Sequence, residues 1–242
     1  MTPEERRCID RVRRAVGRAI NRYRMIAAGD RVLLALSGGK DSLALADTLH
    51  ARLRHLPISY ELRAAHVRVR GITDTVDTDY LAMFCGERGI ALDIIDIALD
   101  PADDPDGSAC FQCARARRTA LFQLARDVGC PTIAFGHTMD DAVETLLMNM
   151  TFNARVSGMP GRLALFGGAL ELVRPLILLS DAQVARYASV AGLKPSGGNC
   201  PYGAAGAREA VRALIGDLGR LSPRARTNLF HATSNIDPEY LP

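Results

Sequence analysis

One short stretch constrains the fold of this chain more than any other. An aliphatic run at residues 32–36 leads directly into Ser37, Gly38, Gly39, Lys40, Asp41 and Ser42. The run is short and apolar enough to be a buried strand of a parallel sheet, and a helical apolar pattern follows it. Two glycines between a strand and a helix N-terminus let backbone N–H groups approach an anion. The stretch therefore predicts a phosphate-binding loop, in which Lys40 adds positive charge and Asp41 is suited to hold Mg²⁺.

The loop differs from the ordinary P-loop, in which the lysine is followed by Ser or Thr, because Asp41 follows Lys40. Residues 37–42 instead resemble the PP-loop of the ATP pyrophosphatases. That resemblance implies an enzyme that splits ATP between its α and β phosphates, usually to adenylylate a carbonyl oxygen. It does not by itself choose a substrate.

The rest of the chain alternates between helical and strand patterns. The helical patterns cover residues 5–27, 42–54, 75–89, 112–127, a stretch from about 140, 180–191 with Ser180 as N-cap, and 205–219. The strand patterns cover residues 31–36, 58–69, 90–97, 131–135 and 172–176. We expect a mobile Gly-rich loop at 153–168 and an irregular tail after 219.

This alternation predicts an α/β fold with a doubly wound, mostly parallel sheet and helices on both faces. We expect one compact unit in three parts. They are an N-terminal amphipathic helix (1–28), a nucleotide-binding core (29–178) and a small C-terminal helical segment (179–242).

A second polar motif follows the strand predicted at 131–135, and it consists of Gly136, His137, Thr138, Met139, Asp140 and Asp141. Parallel strands place their carboxyl ends at one sheet edge, so this motif should lie beside the first loop. His137 and one aspartate would then face nucleotide phosphates, the aspartate through Mg²⁺. The competing interpretation is a helix cap, in which Asp141 and Glu144 satisfy each other's backbone donors. His66, in the second predicted strand, joins the predicted nucleotide-binding residues.

The charge distribution and the hydropathy favour a protein that binds phosphate groups rather than a lipid membrane. The net charge is only +3, but the arginines cluster near the N-terminus, at Arg115, Arg117 and Arg118, and at Arg220, Arg224 and Arg226. Guanidinium groups suit nucleic-acid phosphates, although such clusters can also be solvated helix faces. No apolar run reaches the length of a membrane span and no signal peptide is recognisable, so we expect a cytoplasmic location and no membrane partner.

Six cysteines include one Cys-x-x-Cys pair, Cys110 and Cys113. In a cytoplasmic protein this pair points to metal or redox use. A zinc site would need two further ligands at short spacing, and a thioredoxin-like pair would directly follow a strand. Cys200 could supply a third thiolate, and three thiolates on a 4Fe–4S cluster leave one iron open. The other cysteines, Cys8, Cys85 and Cys130, lie in apolar patterns and are predicted to be buried.

Several further stretches resemble the tRNA 2-thiocytidine synthetase family. They are residues 29–31, 110–118, 136–146, 158–160, 173–176 and 227–230, in order and at suitable spacing. The resemblance implies that Mg-ATP adenylylates the 2-oxo group of an anticodon-loop cytidine, position 32 in the family. Sulfur held on the open iron of a 4Fe–4S cluster then displaces AMP. In this resemblance the cluster ligands are Cys110, Cys113 and Cys200.

The resemblance also implies roles for the two polar motifs. Residues 37–42 with His66, Gly136 and His137 would bind ATP, Asp41 and Asp141 would hold Mg²⁺, and Lys40, Asp41, Asp140 and Asp141 would be catalytic. The implied partners are tRNA, a cysteine desulfurase or other sulfide donor, and a second copy of the chain. The chain departs from the family at Cys200-Pro201-Tyr202-Gly203, which lacks the second cysteine common there.

Other functions fit part of this pattern. A PP-loop enzyme could join an amine to RNA, as lysidine-forming relatives do, or could thiolate or desulfurate another base. A nucleotide-binding protein without turnover is a third possibility.

Overall fold

The computed structural model describes residues 1–54, 58–70, 76–98, 109–197 and 207–240, without the side chains of residues 109, 110 and 240. The helices are α1 (Pro3–Tyr23), α2 (Lys40–Leu53), α3 (Thr78–Gly86), α4 (Ala109–Asp127), α5 (Met139–Asn153), α6 (Asp181–Val190), α7 (Ala207–Leu221) and α8 (Ala225–Ala232). The strands are β1 (Arg31–Ala35), β2 (Glu61–Arg70), β3 (Ala91–Ala98), β4 (Thr132–Ala134), β5 (Arg162–Leu165) and β6 (Leu170–Val173). None of the described helices is both long and apolar enough to cross a membrane.

The strands form one six-stranded sheet in the order β3-β2-β1-β4-β6-β5. All neighbours pair in parallel except β5, which runs antiparallel to β6. Strands β2 and β3 are added in turn on one side of β1, and β4 then pairs with the other side of β1. The predicted mostly parallel α/β sheet is confirmed, and its strand order reverses between β1 and β4, where such folds bind ligands.

Helices cover both faces of the sheet. Successive residues of β1 point to opposite faces, so Val32 and Leu34 pack with α1, α2, α3 and α6, while Leu33 packs with α4. A smaller apolar cluster joins α5, α7 and α8. The buried cysteines Cys85 and Cys130 lie in these cores as predicted, whereas Cys8 is half-buried.

The N-terminal helix is shorter at its end than its apolar pattern predicts. It starts with a capping box, in which Glu5 N–H donates to Thr2 Oγ1 at 3.2 Å and Thr2 N–H donates to the Glu5 carboxylate at 2.6 Å. It stops at Tyr23 because Arg24 adopts a left-handed φ of 50°. The apolar residues Met25 and Ile26 continue the pattern from a non-helical segment that is still buried.

The predicted mobile loop at 153–168 is partly wrong. Residues 162–165 form the edge strand β5, and Gly167 and Gly168, with φ of 68° and 93°, turn the chain back into β6. Glycine adopts these positive φ values without the steric cost that a side chain incurs. A Gly-Gly pair between two short apolar runs was the sequence signal for this hairpin.

The predicted irregular tail is also wrong, because residues 225–232 form helix α8. Leu229 and Phe230 pack against the cluster that contains Val143 and Val211. A helix this short gains most of its stability from tertiary packing, and that packing is not visible in the sequence pattern.

A buried polar network around Asp47 connects α2 to Tyr187 of α6 and to Arg88, which follows α3. Tyr187 Oη donates to one carboxylate oxygen at 2.5 Å, and Arg88 Nη2 donates to the other at 2.8 Å. All three side chains are largely buried.

The substitution Asp47→Ala leaves the buried guanidinium of Arg88 without this partner. We therefore expect the substitution to lower the free energy of unfolding by about 3 kcal/mol in urea titrations. Asp79→Ala, at an exposed site on α3, is the control, and a loss below about 1 kcal/mol for Asp47→Ala would contradict this account.

Candidate active site at the reversal point of the sheet

A cavity of about 540 Å³ opens at the carboxyl ends of β1 and β4. We call it the central cavity. Its polar lining comes from the loop after β1 (Ser37, Asp41, Ser42), the loop after β4 (Gly136, His137, Asp141) and four arginines (Arg117, Arg118, Arg174, Arg208). The two predicted motifs are therefore brought together at one site.

The loop after β1 has the geometry of an anion cradle. Gly38 has a φ of +83° and is buried, and a Cβ there would lie 2.6 Å from Val76 Cγ1 and 3.2 Å from the Ser196 carbonyl oxygen. Ser42 Oγ donates to the Gly39 carbonyl at 2.9 Å and accepts from Ser37 N–H at 3.2 Å. No side chain caps α2 at Gly39, so its first backbone N–H groups can meet a ligand.

Lys40 and Asp41 form an ion pair at this helix start. Lys40 Nζ donates to Asp41 Oδ2 at 2.9 Å and to Asp181 Oδ1 at 2.5 Å. Burial raises the pKa of Asp41, and Lys40 only partly offsets this. Burial acts to lower the pKa of Lys40, but its hydrogen bonds to Asp181 and Asp41 raise it overall. Asp41 faces the central cavity, whereas Lys40 lies beside it.

Gly136 joins the two loops. A Cβ at this position would lie 2.9 Å from the backbone carbonyl carbon of Asp41 and 3.0 Å from the backbone nitrogen of Ser42. Backbone atoms cannot move aside cheaply, so only glycine allows this approach. The contact sets the distance between the start of α2 and the start of α5.

The adjacent aspartates Asp140 and Asp141 have different surroundings. Asp141 lines the central cavity, and one of its oxygens accepts from Thr138 N–H at 2.8 Å in a capping box. Asp140 does not line the cavity. It accepts from Asp181 N–H at 2.8 Å and lies 3.0 Å from Arg226 Nε of α8.

The cap interpretation that paired Asp141 with Glu144 is wrong. Thr138 is the N-cap of α5, and Asp141 occupies the third helical position. Glu144 is buried and accepts from Arg212 Nε of α7 at 2.7 Å. An Asp at the N3 position is a common helix-start arrangement, and Thr138 was the signal for it.

The two histidines near the site also differ. His66 is buried in β2, and its Nδ1 donates to the Leu36 carbonyl at 2.8 Å, just before the first loop. His137 lines the central cavity, stacks on Phe135 with ring centroids 5.4 Å apart, and accepts a hydrogen bond from Arg174 Nε at 3.3 Å.

Four cavity arginines were not predicted as site residues. The cluster at 115–118 divides, because Arg117 and Arg118 line the central cavity and Arg115 does not. The signal was helical spacing, since residues 114, 117, 118 and 121 share one face of α4. Arg174 lies in the stretch 173–176 that resembles the family, but that resemblance gave it no role, and its place in the cavity depends on how β6 packs. Arg208 gave no local signal, because its position depends on how α7 packs.

Of the three predicted cluster ligands, the structure describes the side chain of Cys113 alone. Cys113 is a half-buried free thiol on α4, one turn before Arg117. Cys110 lies in the first turn of α4 and precedes the cavity residue Ala114 by four positions. Cys200 and the acidic loop at 100–108 lie outside the described residues. Within the described part of the chain, no group of three or more His, Cys, Asp or Glu side chains could hold a metal ion.

The buried position of His137 predicts a pH effect on stability. Burial lowers its pKa to about 4, and Arg174 adds to the effect. The unfolded histidine titrates near 6.5, so the unfolded state binds more protons between pH 6.5 and 4. Stability should be fully present above pH 6.5 and fall as the pH drops toward 4. We expect wild type to lose about 2 kcal/mol more than His137→Gln between pH 7 and 4.5 in urea titrations. Equal losses would contradict the buried, neutral imidazole.

Comparison with known proteins identifies the domain family to which the chain belongs. Residues 10–213 match the PP-loop domain. The chain therefore belongs to the PP-loop family of ATP-binding domains, as the loop at 37–42 indicated.

Its relatives narrow this to one branch of the family. The chain is 36% identical to the tRNA-cytidine(32) 2-sulfurtransferase of Sorangium cellulosum, over 94% of this chain and 82% of the relative. It is 33% identical to the enzyme of that name from Geobacter sulfurreducens, over 96% of this chain and 91% of the relative. The chain belongs to the tRNA-cytidine(32) 2-sulfurtransferase family.

Solved structures agree on the fold. The U34-tRNA thiolase NcsA from Methanococcus maripaludis, solved with its 4Fe–4S cluster, matches with a TM-score of 0.77 and 24% identity, over 98% of this chain and 81% of that one. The NAD⁺ synthetase of Burkholderia pseudomallei matches with a TM-score of 0.51 and 15% identity, over 97% of this chain and 91% of that one.

Proposed function

We propose that this protein uses Mg-ATP to adenylylate the C2 oxygen of cytidine 32 in tRNA and replaces that oxygen with sulfur, giving 2-thiocytidine. One observation carries the proposal. The loop at 37–42 and the helix α4, which bears Cys110 and Cys113, line the same cavity. An enzyme that activates an oxygen and then replaces it with sulfur needs both groups within reach of one base.

In this proposal the phosphates of ATP bind at residues 37–42, with Gly136 and His137 closing the site. His66 supports the loop through Leu36. Asp41 and Asp141, which face the central cavity, hold Mg²⁺ against phosphate oxygens. Lys40 is a further proposed catalytic residue. Asp140, which does not line the cavity, is proposed to support catalysis by positioning the start of α6 through the Asp181 N–H. Lys40 reaches phosphate by exchanging its contact with Asp181.

The proposed cluster ligands are Cys110, Cys113 and Cys200. Cys113 fits this role, because it is a half-buried free thiol on α4, one helical turn before the cavity residue Arg117. A three-cysteine 4Fe–4S cluster, when bound, supplies an iron with an open position for a sulfur ligand. Soft thiolate ligands suit that metal centre.

The proposed partners are tRNA, a cysteine desulfurase or another sulfide donor, and a second copy of the chain. We propose a cytoplasmic location. The division into an N-terminal helix (1–28), a nucleotide core (29–178) and a C-terminal segment (179–242) is also part of the proposal. The exposed arginines of α1, together with Arg224 just before α8, are candidates for contacts with tRNA phosphates.

The test is nucleoside mass spectrometry of unmodified tRNA, after incubation with ATP, Mg²⁺, sulfide and protein purified without oxygen. We expect 2-thiocytidine at position 32, formed only when ATP is present. A substrate tRNA with uridine at position 32 is the control. Pyrophosphate release with an amine-modified base, or with no thiolated base, would contradict the proposal.

A further inference from the structure

Arg174 is a buried cation without an acidic partner in the part of the chain that the structure describes. It directly follows β6, lines the central cavity and is 7% exposed. Its guanidinium donates from Nη1 to the Pro160 carbonyl at 2.6 Å and from Nε to His137 Nδ1 at 3.3 Å. Both partners are uncharged acceptors.

The charge of Arg174 is costly in this position. Burial lowers its pKa to about 10, and the nearby Arg118 contributes, so the side chain remains charged at neutral pH. A buried charge needs a counter-charge or several hydrogen bonds to offset the loss of water. The cavity lining carries four arginines, Arg117, Arg118, Arg174 and Arg208, against two carboxylates, Asp41 and Asp141. In the described part of the chain Arg208 lies 3.7 Å from Glu144, whereas neither cavity aspartate forms an ion pair with Arg174. An anion that enters the cavity would supply the missing partner.

The contact with Arg174 also determines where His137 carries its proton. Arginine nitrogens only donate, so Nδ1 of His137 must accept with its lone pair. A neutral imidazole with a free Nδ1 lone pair carries its proton on Nε2. Stacking on Phe135, at an interplanar angle of 14°, fixes the plane of the ring.

We propose that Arg174 is a positioning residue that holds His137 as the Nε2–H tautomer, so that His137 donates a hydrogen bond to a phosphate oxygen in the central cavity. Arg174 supplies the charge for the same phosphate group. His137 is therefore a donor in this site and not a base. The inference rests on the proposed function only for the source of the phosphate, which is either ATP or the RNA backbone.

The first test reads the tautomer directly by ¹⁵N NMR of histidine-labelled protein at pH 7.5, with His137→Gln to assign the signal. We expect the Nε2–H pattern in wild type. Arg174→Met removes both the charge and the donor, and should give a mixture of the two tautomers. Arg126→Met, at an exposed site on α4 outside the cavity lining, should leave the pattern unchanged. A wild-type Nδ1–H pattern, or no change in Arg174→Met, would overturn the inference.

The second test measures binding of Mg-α,β-methylene-ATP and, separately, of an anticodon stem-loop RNA. Arg174→Met and His137→Gln should each lower the affinity for one of these two ligands at least about tenfold, as expected for a lost charge-assisted hydrogen bond. The double variant should bind that ligand no more weakly than the single variant with the lower affinity, because the two residues act as a unit. The ligand that loses affinity identifies the phosphate, and unchanged binding of both ligands would overturn the inference.

The inference can still be tested if Arg174→Met does not fold or if the protein makes no 2-thiocytidine. If Arg174→Met does not fold, Arg174→Lys keeps a charge but lacks the Nε–H donor, and His137→Gln keeps Arg174 itself. Arg174→Lys should then show the tautomer mixture. If the protein makes no 2-thiocytidine while the tautomer and binding results hold, the proposed function fails and this inference stands.

Discussion

Asp141→Asn should lower the rate of tRNA-dependent pyrophosphate release from ATP by about 10²- to 10³-fold, while the protein remains folded. Asp141 faces the central cavity beside Asp41, and one of its oxygens already caps α5 through Thr138. An asparagine keeps an oxygen for that cap but loses the negative charge that attracts Mg²⁺. The measurement is the initial rate of pyrophosphate release at saturating tRNA, with thermal unfolding followed in parallel.

The neighbouring Asp140 provides a matched control for this prediction. It lies next in sequence on the same helix, but it contacts Arg226 and the backbone of Asp181 rather than the cavity. We expect Asp140→Asn to cost no more than about tenfold in rate, as expected for lost positioning rather than lost metal charge. Equal losses in the two variants would show that the cavity does not separate the two acids.

Cys113→Ala should abolish 2-thiocytidine formation, with a loss greater than about a hundredfold, while the protein still binds Mg-ATP. The thiol lies on α4 outside the loop at 37–42, so its removal leaves the phosphate site intact. Loss of one of three thiolate ligands removes the means of holding a 4Fe–4S cluster. The measurement combines nucleoside mass spectrometry with binding of Mg-α,β-methylene-ATP.

Cys8→Ala is the control for this experiment. Cys8 is also a half-buried free thiol, but it lies on α1 away from the central cavity. We expect normal thiolation in this variant. Thiolation that persists in Cys113→Ala would exclude Cys113 as a required ligand.

The sequence was sufficient to predict the centre of the fold. The aliphatic runs of β1 and β4 are short, buried and followed by polar loops, so their type and their shared edge could be inferred from pattern alone. Their parallel pairing, with Leu33 opposite Ile133, confirms that inference. The position of Ser180 as the N-cap of α6 was predictable for the same reason, because the signal is local.

What could not be predicted depends on packing between distant segments. Asp181 contacts Lys40 only because α6 packs against α2. Arg174 reaches His137 because β6 pairs beside β4. Helix α8 carries a weak pattern of its own and is recognisable only once α5 and α7 are in place. Sequence spacing does not carry information about such contacts.

The most direct test of cluster-based sulfur transfer is the iron and sulfide content of protein purified without oxygen, measured with its visible absorption spectrum. Wild type and Cys200→Ala would be compared, because Cys200 is the proposed ligand most distant in sequence from the Cys110 and Cys113 pair. We expect about four irons and matching sulfide in wild type, and loss of both in the variant. Zinc in place of iron, a disulfide, or iron that persists in Cys200→Ala would contradict a 4Fe–4S cluster held by these three cysteines.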